Sequence, residues 1–274
     1  MNWGRVRTVA RTDLRQLIQA KDFWMPMGIL GSIFFFVVPT ILLLAITRVG
    51  DINAVQQLSN ALEVLPQQAQ QAIQGDSPAG RSSYAMAVYL FAPVAVVVPL
   101  TISTAVGAAT IVGERERGTG EFLAHSPAST REIYLGKLIA SMVPGYVTTL
   151  IGFGLYSLLV NLVVGPEVGG WFFPTPQWWV LMLVVVPAFL GLALSMVLRL
   201  SARVKSTAAA QQASGLVTLP LIMVAYSQST GALFGTGGAT WVIAAVAWGL
   251  AALGLTRGMR AVRRARLLGV ADEH

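Results

Sequence analysis

The sequence predicts an all-α, polytopic membrane protein with six transmembrane helices, and three observations predict it. Charged residues are only 11% of the 274 residues while 55% are hydrophobic, with a mean hydropathy of +0.66. The charges are absent from five long runs, and almost all of the basic residues lie on alternate sides of those runs. A soluble domain is roughly a quarter charged, so a water-soluble fold is excluded.

The amino-terminal element, residues 1–22, carries Trp3, Val6, Ala10, Leu14 and Leu17 at three- and four-residue steps, with Arg7, Arg11 and Arg15 as a basic row at i, i+4, i+8. That pattern predicts an interfacial helix, its apolar side in the acyl boundary and its arginines toward anionic headgroups. The same row suits a docking surface for another protein. Asp13 falls on the apolar side and fits neither role.

A helix needs about 20 apolar residues to cross a hydrocarbon core of about 30 Å. The uncharged run Phe23–Thr47 gives the first span, 23–47. It is too long for a signal peptide and has no small-x-small cleavage site. An outer loop, 48–83, holds seven glutamines, and Val55, Leu58, Leu62 and Leu65 mark an amphipathic helix ending at Pro66. The runs Ser82–Gly113, Leu138–Pro166 and Val168–Leu198 supply spans 84–111, 138–164 and 177–198. The last run, Ser206–Thr256, is 51 residues, too long for one crossing, and is interrupted by Ser227-Gln228-Ser229-Thr230-Gly231 and Gly235-Thr236-Gly237-Gly238. It divides into spans 208–227 and 240–257 joined by a broken segment, which must be satisfied by protein or water.

Six spans put both termini on one side. Seventeen of the 19 Lys and Arg then share that side, leaving Arg48 and Arg81 opposite, and with the acids counted the two faces carry +9 and −2. The positive-inside rule makes the basic face cytoplasmic, which implies a multi-pass protein of the cell membrane with both termini inside. The overall +7 therefore reports orientation, and no nucleic-acid partner is needed to explain it.

The cytoplasmic loop 113–137 is the most informative stretch. Glu114, Arg115, Glu116 and Arg117 end the second span at the water boundary, and Gly118 and Gly120 interrupt the helix. Thr119 to Ala124 has room for one or two turns presenting Phe122 and Leu123, closed by Ser126-Pro127, since the residue before proline is pushed out of the α region. Ser129 and Glu132 have the S-x-x-E spacing of a capping box, so a new helix starts there. The result is a short helix between two spans with an exposed apolar pair in a charged rim.

The loop resembles that of the permease subunits of ABC-2 type exporters, whose pattern is Glu-x-x-x-Gly-Thr-x-Glu-x-Leu, a small residue and Pro, then Arg-x-x-x-x-Gly-Lys. Glu114, Gly118, Thr119, Glu121, Leu123, Pro127, Arg131, Gly136 and Lys137 match it. The six-span layout, the amino-terminal helix, the Arg203-Val204-Lys205 turn leading to Gln211-Gln212 and Pro220, and the broken stretch before the last span are also similar. Gly120 departs from the family, which more often has a helix former there. The resemblance implies that the loop is a coupling helix seated in a groove on a separate ABC ATPase subunit, and that two permeases and two ATPases form the transporter. Glu114, Arg117, Gly118, Thr119, Glu121, Phe122, Leu123, Pro127, Arg131 and Lys137 are then the coupling interface, with Phe122 and Leu123 as anchors. ATP and Mg belong to the partner, and this chain carries no cofactor.

The chain's own chemistry agrees with an external energy source. Only Lys137 of the three lysines follows glycine, and Leu138 succeeds it, so no G-x-x-x-x-G-K-[ST] phosphate loop exists. The five runs hold no acidic residue or His for ion coupling. Ser141, Ser157 and Ser195 have no intramembrane base, and the protein contains no cysteine, so an enzyme is not expected. A path lined by Val, Leu, Ala and hydroxyls such as Thr101, Ser103, Thr104, Thr148 and Thr149 suits an apolar or amphiphilic solute. An ATP-independent carrier or channel, and a non-transporting anchor or sensor for a cytoplasmic protein, remain the alternatives.

Overall fold

The computed structural model describes residues 1–49, 67–116, 118, 125–201, 203–204, 206–229 and 237–261, and every regular element among them is helical. The first helix, α1 (Trp3–Gln19), is capped by Asn2, whose side-chain oxygen accepts from the Gly4 N–H at 2.9 Å, and it stops at the extended residue Ala20. There follow α2 (Lys21–Arg48), α3 (Pro78–Glu114), α4 (Thr130–Val163), α5 (Pro176–Ser201), α6 (Thr207–Ser229) and α7 (Gly237–Ala261). Single helical turns at Gln67–Gln71 and Gly165–Val168 lie between them.

Among the described residues, five helices are long and apolar enough to cross a membrane: α2, α3, α4, α5 and the Trp241–Met259 part of α7. The protein is thus a multi-pass membrane protein, with five such candidates where the sequence reading expects six spans. The long run Ser206–Thr256 does divide into two helices, α6 and α7, and the second of them holds the fifth candidate. The expected outer helix at Val55–Leu65, the centre of the broken segment and the arginine-rich tail beyond Ala261 lie outside the described residues.

Two helices form the centre. The apolar windows of α3 and α5 are each 78% buried, against 28%, 39% and 22% for α2, α4 and α7, so the first pair is interior and the other three present apolar faces outward. Apolarity does not set that ordering: α2 has the highest mean hydropathy of the five, 2.7, and is among the least buried, because in a bilayer an apolar face is as well placed against lipid as against protein. The α3 helix packs on α4, α5 and α6; α7 packs on α5; α2 lies along α4; and α1 lies against the start of α4. Small residues permit the close approaches, as helix association in a bilayer requires. A Cβ on Gly107 of α3 would come 2.7 Å from Leu194 of α5, and one on Gly145 of α4 would collide with Ser103 of α3.

Prolines shape the spans. Pro39, Pro93 and Pro187 each follow a π-helical turn, at Ile33–Val37, Met86–Leu90 and Leu181–Val185. A proline ring clashes with the carbonyl four residues back and offers no N–H, and each widened turn contains that carbonyl's residue, Phe35, Tyr89 or Leu183. In the i→i+5 register the orphaned acceptor is the carbonyl five residues before the proline. For Pro93 that is Val88, which accepts from Trp178 Nε1 at 2.9 Å; for Pro187 it is Met182, which accepts from the Tyr146 hydroxyl at 3.1 Å. Unpaired backbone groups are costly inside a bilayer, so these aromatics close gaps that the prolines open.

Candidate functional site

The loop between α3 and α4 is where the sequence concentrates its charged and apolar signals. Arg117, Thr119, Glu121, Phe122 and Leu123 lie outside the described residues, so the structure speaks to the two feet of the loop. Both feet are fastened to other elements.

The first foot is the end of α3. Its Glu114 carboxylate accepts from Lys137 Nζ at 3.4 Å, and the same ammonium donates to Asp13 Oδ2 at 3.2 Å and to the Thr110 carbonyl at 3.2 Å. Lysine has three N–H donors, and these three acceptors come from α1 and α3 onto a residue of α4. The Lys137 side chain is 1% exposed while the two carboxylates are 14% exposed. A buried ammonium is tolerable only when paired and hydrogen-bonded, and this one is. A cavity of about 70 Å³ opens beside the cluster. Two residues on, Glu116 accepts from both the backbone N–H and the hydroxyl of Thr207, which ties the same foot to the first turn of α6. Gly118 follows in the left-handed region at φ +69°, where a side chain would be strained.

The second foot is the start of α4. Ser129 and Glu132 form the expected capping box: the Ser129 hydroxyl accepts from the Glu132 N–H at 3.3 Å and the Glu132 carboxylate accepts from the Ser129 N–H at 2.8 Å. That carboxylate also accepts from the Asn2 N–H at 2.6 Å. The Asn2 and Ser129 N–H groups hold the Glu132 carboxyl below its usual range; it lies in the opening turn of α4, ahead of the uncharged run that begins at Leu138. Arg5 Nη1 donates to the Pro127 carbonyl at 2.8 Å and stands 3.9 Å from Glu132. The amino terminus of α1 is therefore pinned to the second foot, and its middle, through Asp13, to the first.

Gly136 makes this possible. A Cβ there would lie 2.7 Å from the Val9 side chain and 3.0 Å from the Val6 carbonyl, so only glycine lets α1 settle onto α4. Val6 and Ala10 are buried in that contact.

Of the residues assigned to the loop surface from sequence, Pro127 and Arg131 are exposed, as is Gly118. Glu114 is mostly enclosed and Lys137 is fully enclosed, so these two side chains lie within the protein rather than on its surface. Sequence reasoning missed Asn2, Arg5, Asp13, Thr110 and Thr207 as partners of the loop. The one signal available was Asp13, an acid on the apolar side of an amphipathic helix, which is where a buried cation would need it.

Among the described residues, the two feet bring together a set of ion pairs and hydrogen bonds. These contacts join α1, α4 and α6 at the feet of the loop. Residues 7–235 match the family model described as ABC-2 family transporter protein. No curated protein matches the chain.

Proposed function

The chain belongs to the ABC-2 transporter family, and from that premise we propose that it is the permease subunit of an ABC exporter, in which loop 113–137 is the coupling helix that a separate ATPase subunit grips and moves. Membership of the family makes an ABC transporter permease the general reading. The observation that supports the specific one is the double fastening of the loop: Lys137, shared by Glu114 and Asp13, and Glu116 on Thr207 tie the first foot to α1 and α6, and Glu132 and Pro127 tie the second to α1 again. A loop that merely connects two spans has no need of three helices at its feet.

In this reading the ATPase binds ATP and Mg and supplies the work. Phe122 and Leu123 fill its groove, and Arg117, Glu121 and Arg131 orient the contact. The Lys137 cluster carries the resulting displacement into α1 and α3. Two such permeases enclose the path, and their cargo is apolar or amphiphilic. Three hydroxyls in the spans support that cargo class, because Thr101 and Thr104 donate to the carbonyls of Val97 and Leu100 in their own helix and Ser103 to that of Met142; of the five hydroxyls named from sequence, Thr149 Oγ1 alone is buried without a partner. The α6 helix completes a sixth crossing, which places α1, the loop, Arg203 and the carboxyl terminus together in the cytoplasm.

The test is co-purification of the tagged chain with its ATPase and measurement of ATP hydrolysis by the complex. Glu121→Ala and Phe122→Asp leave the protein in the membrane but reduce recovery of the ATPase or its stimulation by about tenfold or more, as loss of an interface anchor does. Unchanged assembly and hydrolysis in both variants would remove the proposal.

A further inference from the structure

The arginine row of α1 opens onto a groove, and the two together have the shape of an amphiphile. A cavity of about 1010 Å³ lies along one side of α1, where Arg7, Arg11 and Arg15 meet Trp3 and Ile139 of α4. All three arginines are exposed, and among the described residues none of them is ion-paired, since the pairs formed use Arg5 and Lys137. Leu14 and Ile18 form the far wall of this cavity and also belong to a second one, of about 270 Å³, bounded by Trp24, Pro144 and Val147. Gly28 and Thr148 in turn join the second to a third, of about 210 Å³, that runs between α2 and α4 as far as Leu155.

The three cavities form one course. Along α4 it extends from Ile139 to Leu155, about 24 Å at 1.5 Å per residue, which exceeds the roughly 15 Å of hydrocarbon in one leaflet. Its chemistry changes once, from three arginines at the boundary to an almost wholly apolar trough. Bare backbone at Gly28 gives the trough depth, since a Cβ there would meet nothing within 4 Å.

We propose that this groove is a binding site for one anionic phospholipid of the leaflet that α1 borders. The phosphate sits among Arg7, Arg11 and Arg15, and one acyl chain lies between α2 and α4 over Gly28. A free phosphate would account for the arginines but not for the trough; a second protein helix would account for the trough but not for a cationic mouth. The site holds α1 by a ligand as well as by the Lys137 cluster, so it is placed to bias the feet of the loop. It needs only that the chain sits in a membrane, and so stands or falls apart from the ATPase reading.

Native mass spectrometry of the purified chain tests it, with phosphatidylglycerol, phosphatidylcholine or inorganic phosphate added. The wild type retains one phosphatidylglycerol per chain, in preference to phosphatidylcholine by at least about tenfold given what each arginine near an anionic surface contributes, and excess inorganic phosphate does not displace it. The triple variant Arg7→Gln, Arg11→Gln, Arg15→Gln loses the preference. Gly28→Leu fills the trough and loses the lipid, while Gly28→Ala keeps it. Retention of phosphatidylglycerol by Gly28→Leu, or displacement by inorganic phosphate, would show a headgroup site alone and overturn the proposal. Loss of a dimer mass on Gly28→Leu with no bound lipid in the wild type would assign the trough to a second copy and overturn it equally.

Discussion

Lys137 shows how far a residue's role can sit from its local sequence. It follows Gly136 in a charged loop and reads as a surface cation, yet its partners Asp13 and Glu114 converge on it from two other helices. Lys137→Met leaves two carboxylates facing each other without a cation. It should lower stability by about 3–5 kcal/mol, the cost of breaking a buried pair from one side, as read by denaturant titration in detergent. Adding Asp13→Asn to that variant should recover part of the loss. A milder effect is expected at the proline-opened turns, where Trp178→Phe and Tyr146→Phe each remove the donor to an orphaned carbonyl. Each should cost about 0.6 kcal/mol and no more than about 1.7, the mean and the maximum for hydrogen bonds between membrane helices. Neither aromatic donor was legible beforehand, because each partner lies on another helix and periodicity reports only on a residue's own. Asp13 was legible as an anomaly and not as a bond.

At the scale of elements, the sequence reading succeeds where the signal is local. The apolar stripe with Val6 and Ala10 marks the face of α1 that is buried, and Ser129 with Glu132 marks the start of α4. Ser129→Ala should destabilise that start by about 1 kcal/mol, the usual cost of losing an N-cap. Because Glu132 also receives the Asn2 N–H, the same variant should speed hydrogen exchange of the first amides of α1. Gly136→Leu should do so more strongly, by driving a side chain into Val9; unchanged exchange in α1 would mean that the helix is not held where the contact places it. The π-helical turns were not foreseen, although the prolines that cause them were in view. A proline announces a disturbance, but whether the helix kinks, breaks or widens depends on whether a neighbour supplies the missing donor.

For the whole molecule, composition and the five uncharged runs suffice to give an all-helical membrane protein, and the burial of α3 and α5 supplies what they cannot, namely which helices are central. The count of crossings depends on α6, the long helix that stands outside the five candidates. Six crossings predict that single cysteines at Asn2 and Gly269, introduced into a chain that has none, react with an impermeant maleimide from the same side of the membrane. Reaction from opposite sides would mean five. The central claim is that the loop between α3 and α4 is where an ATPase attaches. The most direct measurement places a photo-cross-linking residue at position 122 in living cells and identifies what it captures. Capture of an ATPase subunit there, and none from the exposed Trp171 in the connection beyond the other end of α4, is the predicted result; a cross-linker at 122 that captures no ATPase while the protein is inserted would contradict the account.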